Sequence, residues 1–317
     1  MTVRVYRYDD VDAPVLTGAT GSVNDLIKAC LVTGYGAKAG AGWTEEFTTT
    51  NISAYKMGAA PFNYLRVNDS AAVGVATRII GYKTMSDVNT GTIPFPTEAQ
   101  IAGGGWIQKS VDGTTARPWI IIADENSFHL IYQKAVLLAT NLTSVTYSEH
   151  VYFGNLLGAN SGDIETSIII TNYGTGNSYS GGYINNSFGV SSGHYTMNRF
   201  DGSINVDGSL QVGKTPLLNV GQTNINATTT FVYPDPITNG LLLSRIHVIQ
   251  NTAPIYLRGY IKGMWNSVNF SNSPLALGDT FTSVINGITR TFIVLPLTSG
   301  SGTYSKSIFE ISDTWEL

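Results

Sequence analysis

The chain has 317 residues, enough for two ordinary domains or one large β-rich unit, and a formal net charge of −4. Charged residues make up only 13%, about half the usual share, while there are 34 Gly and 17 Tyr. The lack of clustered Lys and Arg argues against nucleic acid as a partner, no apolar run is long enough for a membrane helix, and a single Cys excludes an internal disulfide framework. A surface with so little charge is typical of a subunit of an assembly.

The N-terminal region contains the one convincing helical pattern. Ser22 is placed as an N-cap with Asp25 three positions later, and Gly34 ends the pattern. Apolar residues recur between these points at helical spacing: Val23, Leu26, Ile27, Cys30 and Leu31. We therefore predict an amphipathic helix over residues 22–33 that packs on a sheet and buries Cys30.

Most of the remaining chain has the alternation of strands and turns. "RPWIIIAD" and "SFHLIYQK" flank a polar Asp124-Glu125-Asn126 corner, which predicts a hairpin, and "FNYLRVND" and "VGVATRIIGY" form a similar pair. The predicted fold is mainly β, with antiparallel sheets in a sandwich-like or barrel-like arrangement and one N-terminal helix. We divide the chain into a helix-plus-sheet domain at residues 1–135 and a β-rich domain at residues 136–317.

The stretch "GYKTMSDVNTGTIPFPTEAQIAGGGWIQKS" resembles a phosphate-binding loop only superficially. Such a loop needs a Gly directly before the Lys, whereas Trp106, Ile107 and Gln108 separate the three glycines from Lys109. The pattern instead predicts a loop, one short turn from Thr97, and then a strand.

Residues 174–230 are rich in Gly, Ser, Asn, Thr and Tyr, and are interpreted as long loops or an excursion that contacts another chain. Within them, "GSINVD" is followed by "GSLQVG". This repeat predicts a hairpin around Asp207-Gly208, or alternatively two turns of a fibre-like β-repeat. The candidate interface consists of Tyr179, Tyr183, Tyr195, Ile204, Val206, Leu210 and Val212.

No residue pattern predicts catalysis, a cofactor or a metal. None of the four His has a second His or Cys at ligand spacing, and "GVSSG" around Ser191 lacks the strand and helix of a nucleophile elbow. His129 and His150 are interpreted as structural, and Asp163 and Glu165 as solvated loop acids. The five Trp are expected in the core. We therefore expect a protein that is not an enzyme.

Several motifs together resemble a family of uncharacterised structural proteins of tailed bacteriophages and prophages. They include "VYRYDDVDAPVLTGATGSVNDLIKACLVTGYG", "GWTEEFTTTNISAYK" and "ARPWIIIADENSFHL" near the N-terminus, and "NGLLLSRIHV", "LRGYIKGMWNSVN" and "FEISDTWEL" near the C-terminus. The match covers most of residues 3–135 and 240–317. Ile261-Lys262-Gly263 stands where the family pattern has a compact Leu-Pro-Gly turn.

The resemblance implies a non-enzymatic virion component, assembled in the bacterial host cytoplasm, whose partners are other virion proteins and copies of itself. We expect a place in the tail, baseplate or neck. The alternatives are a capsid decoration protein and a receptor-binding module that recognises bacterial surface glycan through the Tyr-rich middle, since Tyr stacks well on sugar rings.

Overall fold

Strands dominate the computed structural model, which describes residues 1–133, 148–158, 160–171, 174–175, 178–179, 195–204, 210–213, 233–236, 239–250, 255–267, 274–298 and 304–315. The helical part is α1 (Ser22–Lys28), which continues as a π-helical turn at Ala29–Thr33. The strands are β1 (Arg4–Arg7), β2 (Thr44–Thr49), β3 (Ile52–Lys56), β4 (Tyr64–Asn68), β5 (Thr77–Tyr82), β6 (Thr84–Asp87), β7 (Thr90–Thr92), β8 (Gly105–Ile107), β9 (Trp119–Asp124), β10 (Ser127–Gln133), β11 (Ser148–Asn155), β12 (Ser167–Ile170), β13 (Gly174–Thr175), β14 (Ser178–Tyr179), β15 (Tyr195–Thr196), β16 (Leu210–Gly213), β17 (Leu243–Gln250), β18 (Tyr256–Ser267), β19 (Thr280–Ile285), β20 (Ile288–Thr298) and β21 (Tyr304–Glu310).

Three larger sheets organise these strands, and every pairing in them is antiparallel. The N-terminal sheet has the order β2-β3-β4-β5-β8, the central sheet β1-β9-β10-β11-β12-β15, and the C-terminal sheet β16-β17-β18-β21-β20-β19. The prediction of a mainly β, antiparallel fold with one N-terminal helix is confirmed. Among the described strands each sheet order is open, so the barrel-like alternative is wrong.

The central sheet is covered on both faces. On β9, Ile121 and Ala123 belong to the core shared with helix α1 and the N-terminal sheet, whereas Ile120 and Ile122 belong to the core shared with the C-terminal sheet. A strand buried on both faces needs apolar side chains at successive positions, which explains the run in "WIIIAD". The three sheets therefore form a layered, sandwich-like stack with the central sheet in the middle.

The helix begins differently from the prediction. Gly21, with φ +87°, is the N-cap residue and Ser22 is the first helical residue, so the assignment of Ser22 as N-cap is wrong. Its hydroxyl instead accepts the Thr17 N–H at 2.8 Å. The N–H groups of Val23 and Asn24 in the first turn donate to the carboxylate of Asp69, which lies 46 residues from Val23 along the chain. Cys30 is buried in the core, as predicted.

The predicted hairpin around Asp124 is confirmed: β9 and β10 pair from Ser127 opposite Asp124, across a two-residue loop. The turn from Thr97 and the strand after it are as predicted, because Gln100 and Ile101 donate N–H bonds of 3.0 Å to the Thr97 carbonyl before β8 begins. The loop predicted ahead of them is wrong in part, since Thr84–Asp87 and Thr90–Thr92 pair as the strands β6 and β7. At Gly104, φ is +96° and a Cβ atom would lie 2.6 Å from the Ile79 carbonyl oxygen, so glycine is required there.

The division at residue 135 stays a prediction. The residues on its two sides share the central sheet, because β10 pairs with β11 over seven residues.

Candidate functional site

A polar cluster lies between the central and C-terminal sheets, where an apolar interface is otherwise expected. Lys262 Nζ lies 2.9 Å from Asp124 Oδ2 and 2.6 Å from Asn126 Oδ1. These three side chains, which we call the Lys262 cluster, are all at least 97% buried. Buried charges need such partners, since an unpaired ion in a protein interior costs several kcal/mol.

A β-bulge in β18 directs the Lys262 side chain into this interface. The register of β18 against β17 shifts between the pairs Arg245 with Trp265 and His247 with Tyr260, which leaves extra residues on β18. Gly263 in this bulge has φ +65°. Bulges redirect side chains, and this one turns Lys262 towards the central sheet. The segment where the family pattern has a compact turn is therefore the interior of a strand.

Two histidines stack beside the cluster. The Nε2 atom of His129 lies 2.6 Å from the Lys262 carbonyl oxygen, and its Nδ1 atom lies 2.8 Å from Nε2 of His150. Because a carbonyl only accepts, His129 donates from Nε2, and its Nδ1 accepts the proton of His150. This arrangement suits two neutral imidazoles, the form that burial favours. Burial lowers the pKa of His129 to about 4 and that of His150 well below its usual value. The structural interpretation of both residues agrees with these contacts.

A second buried cluster corrects the interpretation of two acids as solvated. Asp163 and Glu165 are only 8% and 2% exposed. Asp163 accepts a bidentate pair from Arg258, with Nε to Oδ2 at 2.5 Å and Nη2 to Oδ1 at 2.9 Å. Glu165 pairs with Lys83. Arg258 also donates to the carbonyl oxygens of Glu165 and Asn198, and it is fully buried. This cluster joins β18 to the loop before β12.

The edge strand β19 differs from the edge strands whose side chains are described elsewhere in the protein. Its sequence, TFTSVI, has no charge and no proline, and its register with β20 is regular. Val284 on this strand is 67% exposed. By contrast, β2 carries Glu45 and Glu46 and a bulge, and β8 is three residues long and buried. Edges normally carry charges, prolines or bulges that prevent pairing with another chain.

The residues predicted for the interface are only partly described. Tyr179 lies in β14, Tyr195 in β15, and Leu210 and Val212 in β16, where the backbone is described. Ile204 is 38% exposed. The side chains of those four strand residues, and the whole of Tyr183 and Val206, lie outside the described residues. The structure does not bring these residues together in one described site.

The hairpin predicted around Asp207-Gly208 is corrected at its start. Ser203 and Ile204 are not in a strand, because the Ser203 N–H donates to the Asp201 carboxylate and its carbonyl accepts the Arg199 N–H, which closes a turn. Leu210–Gly213 instead pair with β17. The turn at 207–208 lies outside the described residues.

Sequence reasoning missed the Lys262 and Arg258 clusters. Asp124 and Lys262 are 138 residues apart, and Asp163 and Arg258 are 95 apart. The available signal was a single charge inside an apolar strand pattern, as at Lys262 in "GYIKGMW" and Arg258 in "IYLRGY".

Within the described residues, no group of three or more His, Cys, Asp or Glu is placed to hold a metal ion, and no helix is long and apolar enough to cross a bilayer. All five Trp are buried, as predicted. No protein-family model matches the chain, and a comparison with curated proteins gives no match either.

Proposed function

We propose that this protein is a structural subunit of a tailed-bacteriophage particle, in the tail, baseplate or neck, and that it acts through contacts with other virion proteins and with copies of itself. The resemblance of its terminal motifs and its low content of charge support this role. The observation that carries the proposal is the uncharged strand β19, which lies at the edge of its sheet among the described strands, since an edge without charges is a template for pairing with another chain.

The hairpin geometry determines which backbone groups β19 offers. Its turn consists of Asn286 and Gly287, with φ of 52° and 79°, and Ile285 pairs with Ile288 across it. A two-residue turn of this kind makes the flanking residues exchange both hydrogen bonds, and the pattern then alternates along the strand. Residues 281, 283 and 285 bond to β20. Residues 280, 282 and 284 direct their N–H and C=O groups outward.

Two copies of β19 can pair antiparallel about a two-fold axis at Thr282. In this register Thr282 faces its own copy and Thr280 faces Val284, so all three outward residues of each strand find partners. No like charges meet across the axis, because the strand has none. Each backbone hydrogen bond contributes only about 1 kcal/mol net, so one such contact is weak and a symmetric particle must multiply it.

The role itself is tested on purified phage particles produced from the genome that encodes this chain. Quantitative mass spectrometry should find the protein at a fixed copy number, and a cryo-EM map should place it in the tail, baseplate or neck. Density on the capsid surface would favour the decoration role, and density at fibre tips would favour the receptor-binding role. Absence of the protein from the particles would disprove the structural role.

The interface is tested with Thr282→Lys, which places two ammonium groups opposite each other at the two-fold axis. Sedimentation velocity of the purified wild-type chain should show association that rises with concentration, and the variant should lose it. Thr289→Lys is the matched control, since Thr289 is also exposed and in the same hairpin but lies one strand away from the free edge. Equal association of both variants would show that β19 is not the contact.

A further inference from the structure

The Lys262 cluster holds an amine, an amide and a carboxylate together inside the protein. We propose that Lys262 and Asn126 react to form an intramolecular amide bond, an isopeptide cross-link between the two sheets, with Asp124 as the catalytic carboxylate. This inference is independent of the proposed role in a phage particle.

The reacting atoms are already close. Lys262 Nζ lies 2.6 Å from Oδ1 of Asn126. Because the C=O bond is about 1.2 Å long, Nζ lies within about 3.8 Å of the carboxamide carbon Cγ. Reacting atoms about 3–3.5 Å apart are near an attack geometry, so a small movement of the lysine side chain is sufficient.

The amide is held in place from its other side. Asn126 donates its Nδ2 group to the Ala60 carbonyl at 2.8 Å, which turns Oδ1 towards Lys262. Asn126 also lies in the two-residue loop between β9 and β10, whose register is regular. The carboxamide is therefore oriented before any reaction takes place.

Asp124 is positioned as a proton carrier. Its Oδ1 atom accepts the Asn126 backbone N–H at 2.9 Å and the Ser127 hydroxyl at 2.7 Å, which leaves Oδ2 to face Lys262 Nζ. In a buried site the charged ammonium and carboxylate lose their hydration, and transfer of one proton between them gives two neutral groups. The amine produced by this transfer is a nucleophile.

The reaction balances without a further reagent. Asp124 takes one proton from the Lys262 ammonium, the neutral Nζ attacks Cγ of Asn126, and the Nζ–Cγ bond forms. The Cγ–Nδ2 bond then breaks, and Nδ2 leaves as ammonia with the proton that Nζ loses on becoming an amide nitrogen. Asp124 returns its own proton to the departing ammonia, which leaves as ammonium. No atom is oxidised or reduced.

The surroundings favour this reaction over hydrolysis. Tyr152, Phe309 and Trp315 are buried in the same core, and His129 holds the Lys262 backbone through its carbonyl. The exclusion of water strengthens each polar contact and protects the tetrahedral intermediate. The same contacts would also satisfy an unreacted ammonium, and a mass measurement separates these two states.

The test is the intact mass of the purified full-length chain under denaturing conditions. We expect a mass about 17 Da below the value calculated from the sequence, because one ammonia is lost. Digestion should yield one branched peptide that contains both Asn126 and Lys262. A wild-type mass equal to the calculated value would overturn the proposal, and this result requires no variant to fold.

Three variants test the roles of the residues. Asp124→Asn should keep the full calculated mass, while the neighbouring control Glu125→Gln should still lose ammonia. Asn126→Asp should lose water in place of ammonia, so that its product has the same mass as the wild-type product. If Asp124→Asn folds, as judged by circular dichroism, and still loses ammonia, Asp124 is not the catalytic carboxylate.

Discussion

Replacement of Asp69 should show how strongly its buried contacts stabilise the attachment of helix α1 to the N-terminal sheet. Asp69 is fully buried, and its carboxylate both caps helix α1 and pairs with Lys109. Its Oδ2 atom accepts the N–H groups of Val23 and Asn24 at 2.9 and 3.4 Å, and its Oδ1 atom accepts from Thr77 and from Lys109, which lies 2.9 Å away. The change Asp69→Asn keeps the shape of the side chain and removes its charge.

The expected loss follows from these contacts. Lys109 and Asp69 have fully buried side chains, and removing one partner of such a pair costs about 3–5 kcal/mol because the other charge is left uncompensated. An amide with one oxygen can still accept from the helix or from Thr77, so the loss of the cap adds about 1 kcal/mol or less. We expect the free energy of unfolding to fall by about 4 kcal/mol.

Urea denaturation followed by circular dichroism measures this loss, and a shift of the midpoint by about 1.3 M is expected for an m value near 3 kcal/mol/M. The double variant Asp69→Asn/Lys109→Met removes the uncompensated charge and should recover most of the stability. Hydrogen exchange should show faster exchange at Val23 and Asn24 in both variants. A loss of less than about 1 kcal/mol in the single variant would refute the reasoning, because Lys109 would then have found another partner.

Two further predictions concern the interface between the central and C-terminal sheets. Arg258→Lys keeps the charge but cannot reproduce the bidentate contact with Asp163, so in urea titrations the free energy of unfolding should fall by about 3 kcal/mol. The control Arg199→Lys changes a partly exposed residue and should lower the free energy of unfolding by less than about 1 kcal/mol. The pKa of His129 is lowered to about 4 in the folded protein, against about 6.5 in the unfolded chain. As the pH falls below about 6.5, His129 therefore becomes protonated in the unfolded chain while it stays neutral in the folded protein. Between about pH 7.5 and pH 4 this residue should therefore reduce stability by about 3 kcal/mol, and His129→Gln should show a shallower pH dependence in the same titrations; identical slopes would contradict the assignment.

Local patterns in the sequence predicted most elements of the fold, but not the paired strands β6 and β7 or the turn at Ser203. The helical spacing around Leu26, the two-residue corner after Asp124 and the strand that follows Gly105 are all present where periodicity and turn residues indicated them. These features depend on residues a few positions apart, because backbone hydrogen bonds and side-chain alternation repeat over short distances. The buried Trp residues followed from the same alternation.

The partners of the buried charges follow from the packing of the sheets and not from local sequence. The helix cap comes from Asp69 and not from Ser22, the acid at position 163 pairs with Arg258, and Lys262 reaches the loop between β9 and β10. Whether an acid in a loop is solvated or buried depends on which sheet packs against the loop, and that sheet is formed by a distant part of the chain. Local sequence therefore predicts most of the strands and the helix. The packing of the three sheets selects which charges meet, because electrostatic contacts form wherever the folded layers bring two groups within about 3 Å.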